Sequence, residues 1–264
     1  MKIRFTQVDA FADRPFTGNP AAVMPLDAWL DDETLQAMAT ENNLAETAFY
    51  VPTGGDADFE LRWFTPAVEV ALCGHATLAS GHVVLGGDAS RPSVRFRTRQ
   101  RGVLEVRRSG EGYELDLPAL PPEASTDRRS ADALGLAPVE TLFREGGYFV
   151  TVLGSEVELL AIQPDFRALG AAVPGDPSHI VTAPGERVDF VSRMFAPNAG
   201  IDEDPVTGSA HAVLTPYWAK RLGRDNLTAY QASRRGGHVA CRLAGDRVVL
   251  GGRCVTVIEG EFRL

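Results

Sequence analysis

The sequence predicts a mixed α/β protein folded as two similar half-domains, and three observations predict it. The first is an internal repeat. Arg62-Trp63-Phe64-Thr65-Pro66 is followed eight residues on by Gly74-His75-Ala76-Thr77-Leu78-Ala79, and Arg193-Met194-Phe195-Ala196-Pro197 is followed eleven residues on by Gly208-Ser209-Ala210-His211-Ala212-Val213. In each copy an R-x-F-x-P strand leads through a loop to a glycine that opens an apolar helix, the pattern of two related units. The second is that the order of strand-like and helix-like segments in the first half recurs in the second. The third is Leu117-Pro118-Ala119-Leu120-Pro121-Pro122, whose closely spaced prolines suit an extended connector. The halves are read as residues 1–118 and 125–251, with 252–264 as final strands free to return to the first half.

The elements follow in order. Ile3–Phe11 reads as a strand, Arg14–Pro20 as a Pro/Gly turn and Ala21–Met24 as a second strand. Asp31 or Asp32 can cap a helix whose apolar stripe is Leu35, Met38 and Ala39, and Asn42-Asn43 can end it. Strands at Leu44–Val51 and Glu60–Phe64 precede the helix Gly74–Leu85. Three alternating stretches, Val94–Thr98, Val103–Arg107 and Tyr113–Leu117, close the half. After the connector, Tyr148–Leu153 and Val157–Ile162 read as strands and Pro164–Leu169 as a short helix. Strands at His179–Ala183 and Val188–Met194 come next. A helix from Gly208 to Leu222 carries Gly223 as its C-cap, with Pro216 expected to kink it or start a new turn, and strands at Val239–Leu243, Val248–Leu250 and Val255–Ile258 end the chain.

Composition narrows the function classes. The 264 residues are 44% apolar with a net charge of −9, which argues against nucleic acid or an anionic membrane as partner. No apolar run approaches a membrane span, and Met1-Lys2-Ile3-Arg4-Phe5 lacks a signal-peptide core. Cys73, Cys241 and Cys254 are odd in number and form no CxxC pair, as in a reduced, cytoplasmic protein.

Both glycine–helix junctions are candidate anion sites, because a helix N-terminus offers unpaired N–H groups and a partial positive charge. Small residues at Gly74, Ala76, Gly208, Ser209 and Ala210 admit a ligand to the backbone, and Ser209 adds a hydroxyl. The same small residues also suit tight packing of a central helix. Glu46 is the one acid in Leu44-Ala45-Glu46-Thr47-Ala48-Phe49; burial there would raise its pKa and fit it for acid/base work, while a paired or solvent-facing carboxylate is the commoner fate. Aligning Pro52 with Pro184 sets Glu46 opposite Ser178, so only one copy carries the acid. His75 follows the first helix glycine, where a neutral imidazole suits a polar substrate group or simply packs; His82, two turns on, reads as structural. Asp204, in the longer second loop Asp202-Glu203-Asp204-Pro205, reaches toward the helix start, although acidic loops are usually just solvated. Cys73 aligns with Thr207, so a mechanism needing one thiol per copy lacks its second. No H-x-x-x-H or mixed Cys/His spacing marks a metal site, and none is expected.

At these residues the chain resembles the PhzF-like family, named for a phenazine-biosynthesis isomerase. The matching segments are Asp9-Ala10-Phe11, Phe16-Thr17-Gly18-Asn19-Pro20-Ala21-Ala22-Val23, Asn43-Leu44-Ala45-Glu46-Thr47-Ala48-Phe49, Leu72-Cys73-Gly74-His75-Ala76-Thr77 and Glu203-Asp204-Pro205-Val206-Thr207-Gly208-Ser209-Ala210. The resemblance implies a diaminopimelate-epimerase-like α/β (α+β) fold of two pseudo-symmetric half-domains. Each is a curved, mostly antiparallel sheet wrapped around a central helix, with the active site in the cleft between them. It also implies a cofactor-free enzyme, often a homodimer. By the same resemblance Glu46 moves a proton between substrate carbons, His75 and Asp204 hold polar groups, and Gly74, Gly208, Ser209 and Asn19 bind the substrate and its carboxylate. One segment departs: where the family commonly shows Q-G-x-x-x-G-R-P-S, this chain reads Gln231-Ala232-Ser233-Arg234-Arg235-Gly236-Gly237-His238-Val239, which separates it from the phenazine substrate itself. The expected function is therefore a cofactor-independent isomerase acting by proton transfer on a small carboxylate-bearing, cyclic or amino-acid-like metabolite. The alternatives are an amino-acid epimerase using Cys73 and a non-catalytic member that binds a metabolite or protein.

Overall fold

The computed structural model describes residues 1–264. They form two compact units, one of residues 1–117 with 251–264 and one of residues 118–250.

The first unit begins with β1 (Lys2–Ala10), β2 (Asn19–Pro25), α1 (Asp32–Asn42) and β3 (Glu46–Pro52). It continues with β4 (Phe59–Phe64), β5 (Glu69–Val70), α2 (Gly74–Gly86), β6 (Ser93–Thr98), β7 (Val103–Ser109) and β8 (Gly112–Pro118). The chain's last strand, Cys254–Arg263, pairs antiparallel with β1 on the opposite side from β2. From there β2–β3 is parallel, β3–β4 antiparallel, β4–β6 parallel, and β6–β7 and β7–β8 antiparallel. Every residue of β3 except Pro52 is buried, because the strand is covered on both faces. Phe49 and Val51 join Leu35, Met38 and Ala39 of α1 in one apolar cluster. Strand alternation then turns Glu46, Ala48 and Tyr50 to the other face, the side of α2. The helix α2 is apolar nearly all round and lies against β1, β2, β3, β6 and β7, as a helix without a polar face must. Its approach to β7 requires Gly81, where a Cβ would sit 2.4 Å from Val106. Of the two candidate caps for α1, Asp31 serves, accepting from the Thr34 N–H at 2.8 Å, and Asn43 ends the helix in the left-handed conformation at φ 47°.

The second unit contains β9 (Glu123–Ala124), α3 (Arg129–Ala133), β10 (Glu140–Arg144), β11 (Tyr148–Val152), α4 (Glu156–Leu160) and α5 (Phe166–Ala172). After these come β12 (Ser178–Pro184), β13 (Phe190–Phe195), α6 (Gly208–Leu222), β14 (Asn226–Gln231), β15 (Gly237–Ala244) and β16 (Arg247–Gly252). The last strand of the chain is then β17. Here β10–β11 is antiparallel, β11–β12 parallel, β12–β13 antiparallel, β13–β14 parallel and β14–β15 antiparallel. That is the pairing order of β1, β2, β3, β4, β6 and β7, with α6 inserted where α2 stands. The repeat in the sequence is a repeat of topology. No helix is long and apolar enough to cross a membrane.

One local expectation changes, and three short elements appear that the pattern did not mark. Val157–Ile162, read as a strand, is largely the helix α4: the N-cap Ser155 accepts from the Glu158 N–H and the Glu158 carboxylate accepts from the Gly154 N–H, capping that the apolar run concealed. The short elements α3, β10 and β14 carry too little periodicity to stand out in sequence. Pro216 lies inside a continuous α6. Its missing N–H leaves the Ala212 carbonyl without the usual helical donor, and the backbone N–H of Leu120 takes that place at 3.0 Å. His82 is held by Tyr113 and Thr256 at 3.1 and 2.9 Å, a structural role.

Two histidines are sealed in the second unit. His179 Nδ1 meets Ser130 Oγ at 2.9 Å, and His211 Nδ1 donates to the Thr207 carbonyl at 2.8 Å. Burial lowers both pKa values to about 4. An unfolded chain binds protons at these sites below about pH 6.5 while the folded chain does not, so stability must fall as pH drops from 6.5 toward 4. Urea midpoints recorded across that window should decrease, and the decrease should be smaller in His211→Gln.

Candidate active site

In the first unit four polar side chains converge at the start of α2. Glu46 opens β3, Asn19 opens β2, Cys73 is the N-cap of α2 and His75 lies in its first turn. All four are buried. His75 Nε2 lies 2.9 Å from Glu46 Oε2, and His75 Nδ1 lies 3.0 Å from Asn19 Nδ2. The Cys73 sulfur sits 3.5 Å from Nδ1 and 4.0 Å from Nε2. In the neutral ring the Asn19 amide donates to Nδ1 and the proton sits on Nε2, on the Glu46 side; in the imidazolium both nitrogens donate and Asn19 turns its oxygen to Nδ1. The turn that delivers Asn19 needs Gly18, at φ +65°, because a Cβ there would lie 2.2 Å from the Ala10 carbonyl oxygen.

Burial works against an imidazolium at His75, but the Cys73 sulfur and the Glu46 carboxylate outweigh it and hold the pKa well above the ordinary value. Burial, followed by the nearby Glu46 charge, pushes the Cys73 thiol up to about 11. The fold also gathers donor atoms of Glu46, Cys73 and His75 within 4.8 Å of one another. Spacing along the chain could not show this set, because Glu46 comes from a different strand.

In the second unit the corresponding place is organised by Gln231, the last residue of β14 and fully buried. Its Oε1 accepts from the Thr207 N–H at 2.8 Å, and its Nε2 donates to the Asp204 carbonyl at 2.7 Å and to Thr207 Oγ1 at 3.1 Å. The Thr207 hydroxyl donates to the Asp204 carboxylate. Asp204 is therefore a buried, fixed carboxylate rather than part of a solvated acidic loop. Ser233 donates to the Pro205 carbonyl at 2.8 Å, a second tie on the same loop from the segment that departs from the family pattern. Gly208 is buried beside Thr207 and Ser209 is half-buried. Neither α2 nor α6 has a side-chain cap, whereas α1, α4 and α5 are each capped by Asp or Ser. The first turns beginning at Gly74 and at Gly208 thus retain the N–H groups an anion takes.

The repeated R-x-F-x-P motif builds a strut in each copy. Arg62 forks onto Glu69 at 2.8 and 2.9 Å and lies 4.9 Å from the Phe64 ring centre. Arg193 forks onto Glu203 at 2.7 and 3.0 Å and lies 5.0 Å from Phe195. Each bidentate pair pins the loop that leads into the central helix. Residue-by-residue reading singled out neither arginine, although their identical place in both motifs was the available signal.

A family model described as phenazine biosynthesis-like protein matches residues 8–260. The chain belongs to the phenazine biosynthesis-like family. An uncharacterized isomerase of Pseudomonas aeruginosa is 50% identical over the whole of both chains. The crystal structure of a member from Enterococcus faecalis superposes over 100% of both chains with a TM-score of 0.91 at 44% identity. A hydroxyproline epimerase from Agrobacterium vitis, at 11% identity and a TM-score of 0.63 over 98% of this chain and 92% of its own, shares the fold. The α+β architecture of curved sheet and few helices is thereby that of the family and of more distant epimerases.

Removing the Gln231 amide should strand the Thr207 N–H and the Asp204 carbonyl in the interior. Gln231→Leu is expected to lose about 1–3 kcal/mol for each stranded group, read as a lower urea midpoint at unchanged slope.

Proposed function

We propose that this member of the family is a cofactor-independent isomerase that moves a proton between carbons of a small, carboxylate-bearing metabolite, cyclic or amino-acid-like. Glu46 is its acid/base. One observation carries the reading: a buried glutamate and a buried histidine 2.9 Å apart at the start of an uncapped helix, with Ser178 at the matching first position of β12 in the other copy. A carboxylate held against an imidazole in a dry setting can accept a carbon-bound proton and return it elsewhere without exchange with bulk water. In the first unit His75 orients a polar group of the substrate, Gly74 receives its carboxylate through backbone N–H groups, and Asn19 acts through the ring of His75.

Use of Cys73 as an epimerase base fits less well, since its thiol is pushed up to about 11 and the aligned Thr207 offers a hydroxyl already donated to Asp204. Thermal-shift screening of carboxylate metabolites finds a ligand, because a binder raises the melting temperature by mass action. NMR should then show conversion of that ligand to its isomer with wild-type protein and at least about a hundredfold slower conversion with Glu46→Gln, while the ligand still shifts the melting temperature. A fully active Glu46→Gln sinks the assignment; loss of transfer in Cys73→Ser with Glu46 intact would favour the epimerase instead.

A further inference from the structure

We propose that the first unit holds a further binding site, for a small aromatic carboxylate, between Arg62 and Trp29. The two copies of the R-x-F-x-P strut differ at one nitrogen. In the second unit Arg193 uses all three: Nε and Nη2 fork onto Glu203, and Nη1 donates to the Ile162 carbonyl at 2.8 Å. In the first unit Nε and Nη2 of Arg62 fork onto Glu69 and Nη2 also reaches Asp32, while Nη1 has no acceptor in the protein. The Arg62 side chain is only 3% exposed, and so enclosed a donor is costly to leave unpaired. A cavity of about 150 Å³ adjoins it, lined by Trp29, Glu60, Arg62, Arg97, Thr98 and Arg99. The cavity lies where β4 leaves β6 for β5, just past the last β4–β6 pair, Leu61 opposite Thr98.

The lining selects the ligand. It carries three guanidinium groups and one carboxylate. The acids that pair with the arginines, Asp32, Asp56 and Glu69, lie outside it, and Glu60, inside it, accepts from the Trp29 indole N–H at 2.9 Å. Nη1 of Arg62 is a charged donor for a carboxylate oxygen. Arg97 and Arg99 add attraction that their own partners and solvent weaken. Trp29 supplies an aromatic wall for a flat ring, and a volume of about 150 Å³ holds one ring of benzene size. The site is separate from the candidate active site. Arg62 stands opposite Phe49 in the β3–β4 register, on the face that packs against α1, whereas Glu46 turns to α2. Binding here therefore rests on no assumption about catalysis.

The test uses full-length protein labelled with 5-fluorotryptophan, and benzoate as the probe. Trp29, Trp63 and Trp218 are the three tryptophans, and Trp29→Phe assigns the Trp29 fluorine resonance. Benzoate should shift that resonance saturably. Benzamide, the same shape without the charge, should bind at least about tenfold more weakly. Arg62→Lys keeps a charge but loses the planar fork with its spare nitrogen, and should weaken benzoate by about tenfold or more. Should Arg62→Lys fail to fold, Arg99→Gln, at a half-exposed side chain, should still weaken benzoate about two- to fivefold. Glu46→Gln should leave the Trp29 titration unchanged. No saturable Trp29 shift, equal affinity for benzamide, or full affinity in the folded arginine variants overturns the proposal. So does a response lost in Glu46→Gln, which would place benzoate on the other face of the sheet. Inorganic phosphate binding as tightly as benzoate overturns it too, because the aromatic wall would then have no part in recognition.

Discussion

Two helices that begin inside the protein set the terms for the rest of it. α2 is apolar nearly all round and α6 is buried over its first two turns, before the exposed Lys220 and Arg221 of its last, so each is covered by strands where it starts. A buried helix start leaves N–H groups that water cannot reach and that must find partners inside the protein or in a ligand. The residues around these starts answer that constraint. They are small where the backbone must be approached, and polar only where a specific partner waits: Asn19 and Glu46 for His75, Gln231 and Asp204 for Thr207.

The scaffold around each helix is the same in both units, and the polar groups are not. Both copies use an arginine stacked on its own phenylalanine and forked onto a loop glutamate to fix the approach to the helix. On that common frame the first unit carries an acid, an imidazole and a thiol. The second carries a carboxylate and a hydroxyl locked by a glutamine amide. Symmetry explains the fold, and its breakage concentrates the titratable chemistry in one copy.

The topology was legible in the chain because it is written twice. Hydrophobic periodicity exposed the long strands and both central helices, and Asp31, Asn43 and Gly223 marked helix ends where they occur. α3, β10 and β14 escaped, although other elements of five or six residues, such as β4 and β11, stood out by their apolar content. At α4 an apolar run hid the N-cap Ser155, which was present in the letters. The carbonyl that Pro216 leaves without its helical donor is met by the N–H of Leu120, a long-range fact that the local pattern does not hold.

The sequence by itself determined the repeat, the two small-residue helix starts and the identity of Glu46, His75 and Asp204 as the groups worth watching, because these are properties of local pattern. Only the tertiary structure decided what those groups touch. Strand alternation on β3 and the turn at Gly18 bring Glu46 and Asn19 to opposite nitrogens of one imidazole, and β14 delivers Gln231 to the loop before α6. Such contacts join residues far apart in the chain. Their geometry is fixed by strand register and helix packing, which no local pattern contains.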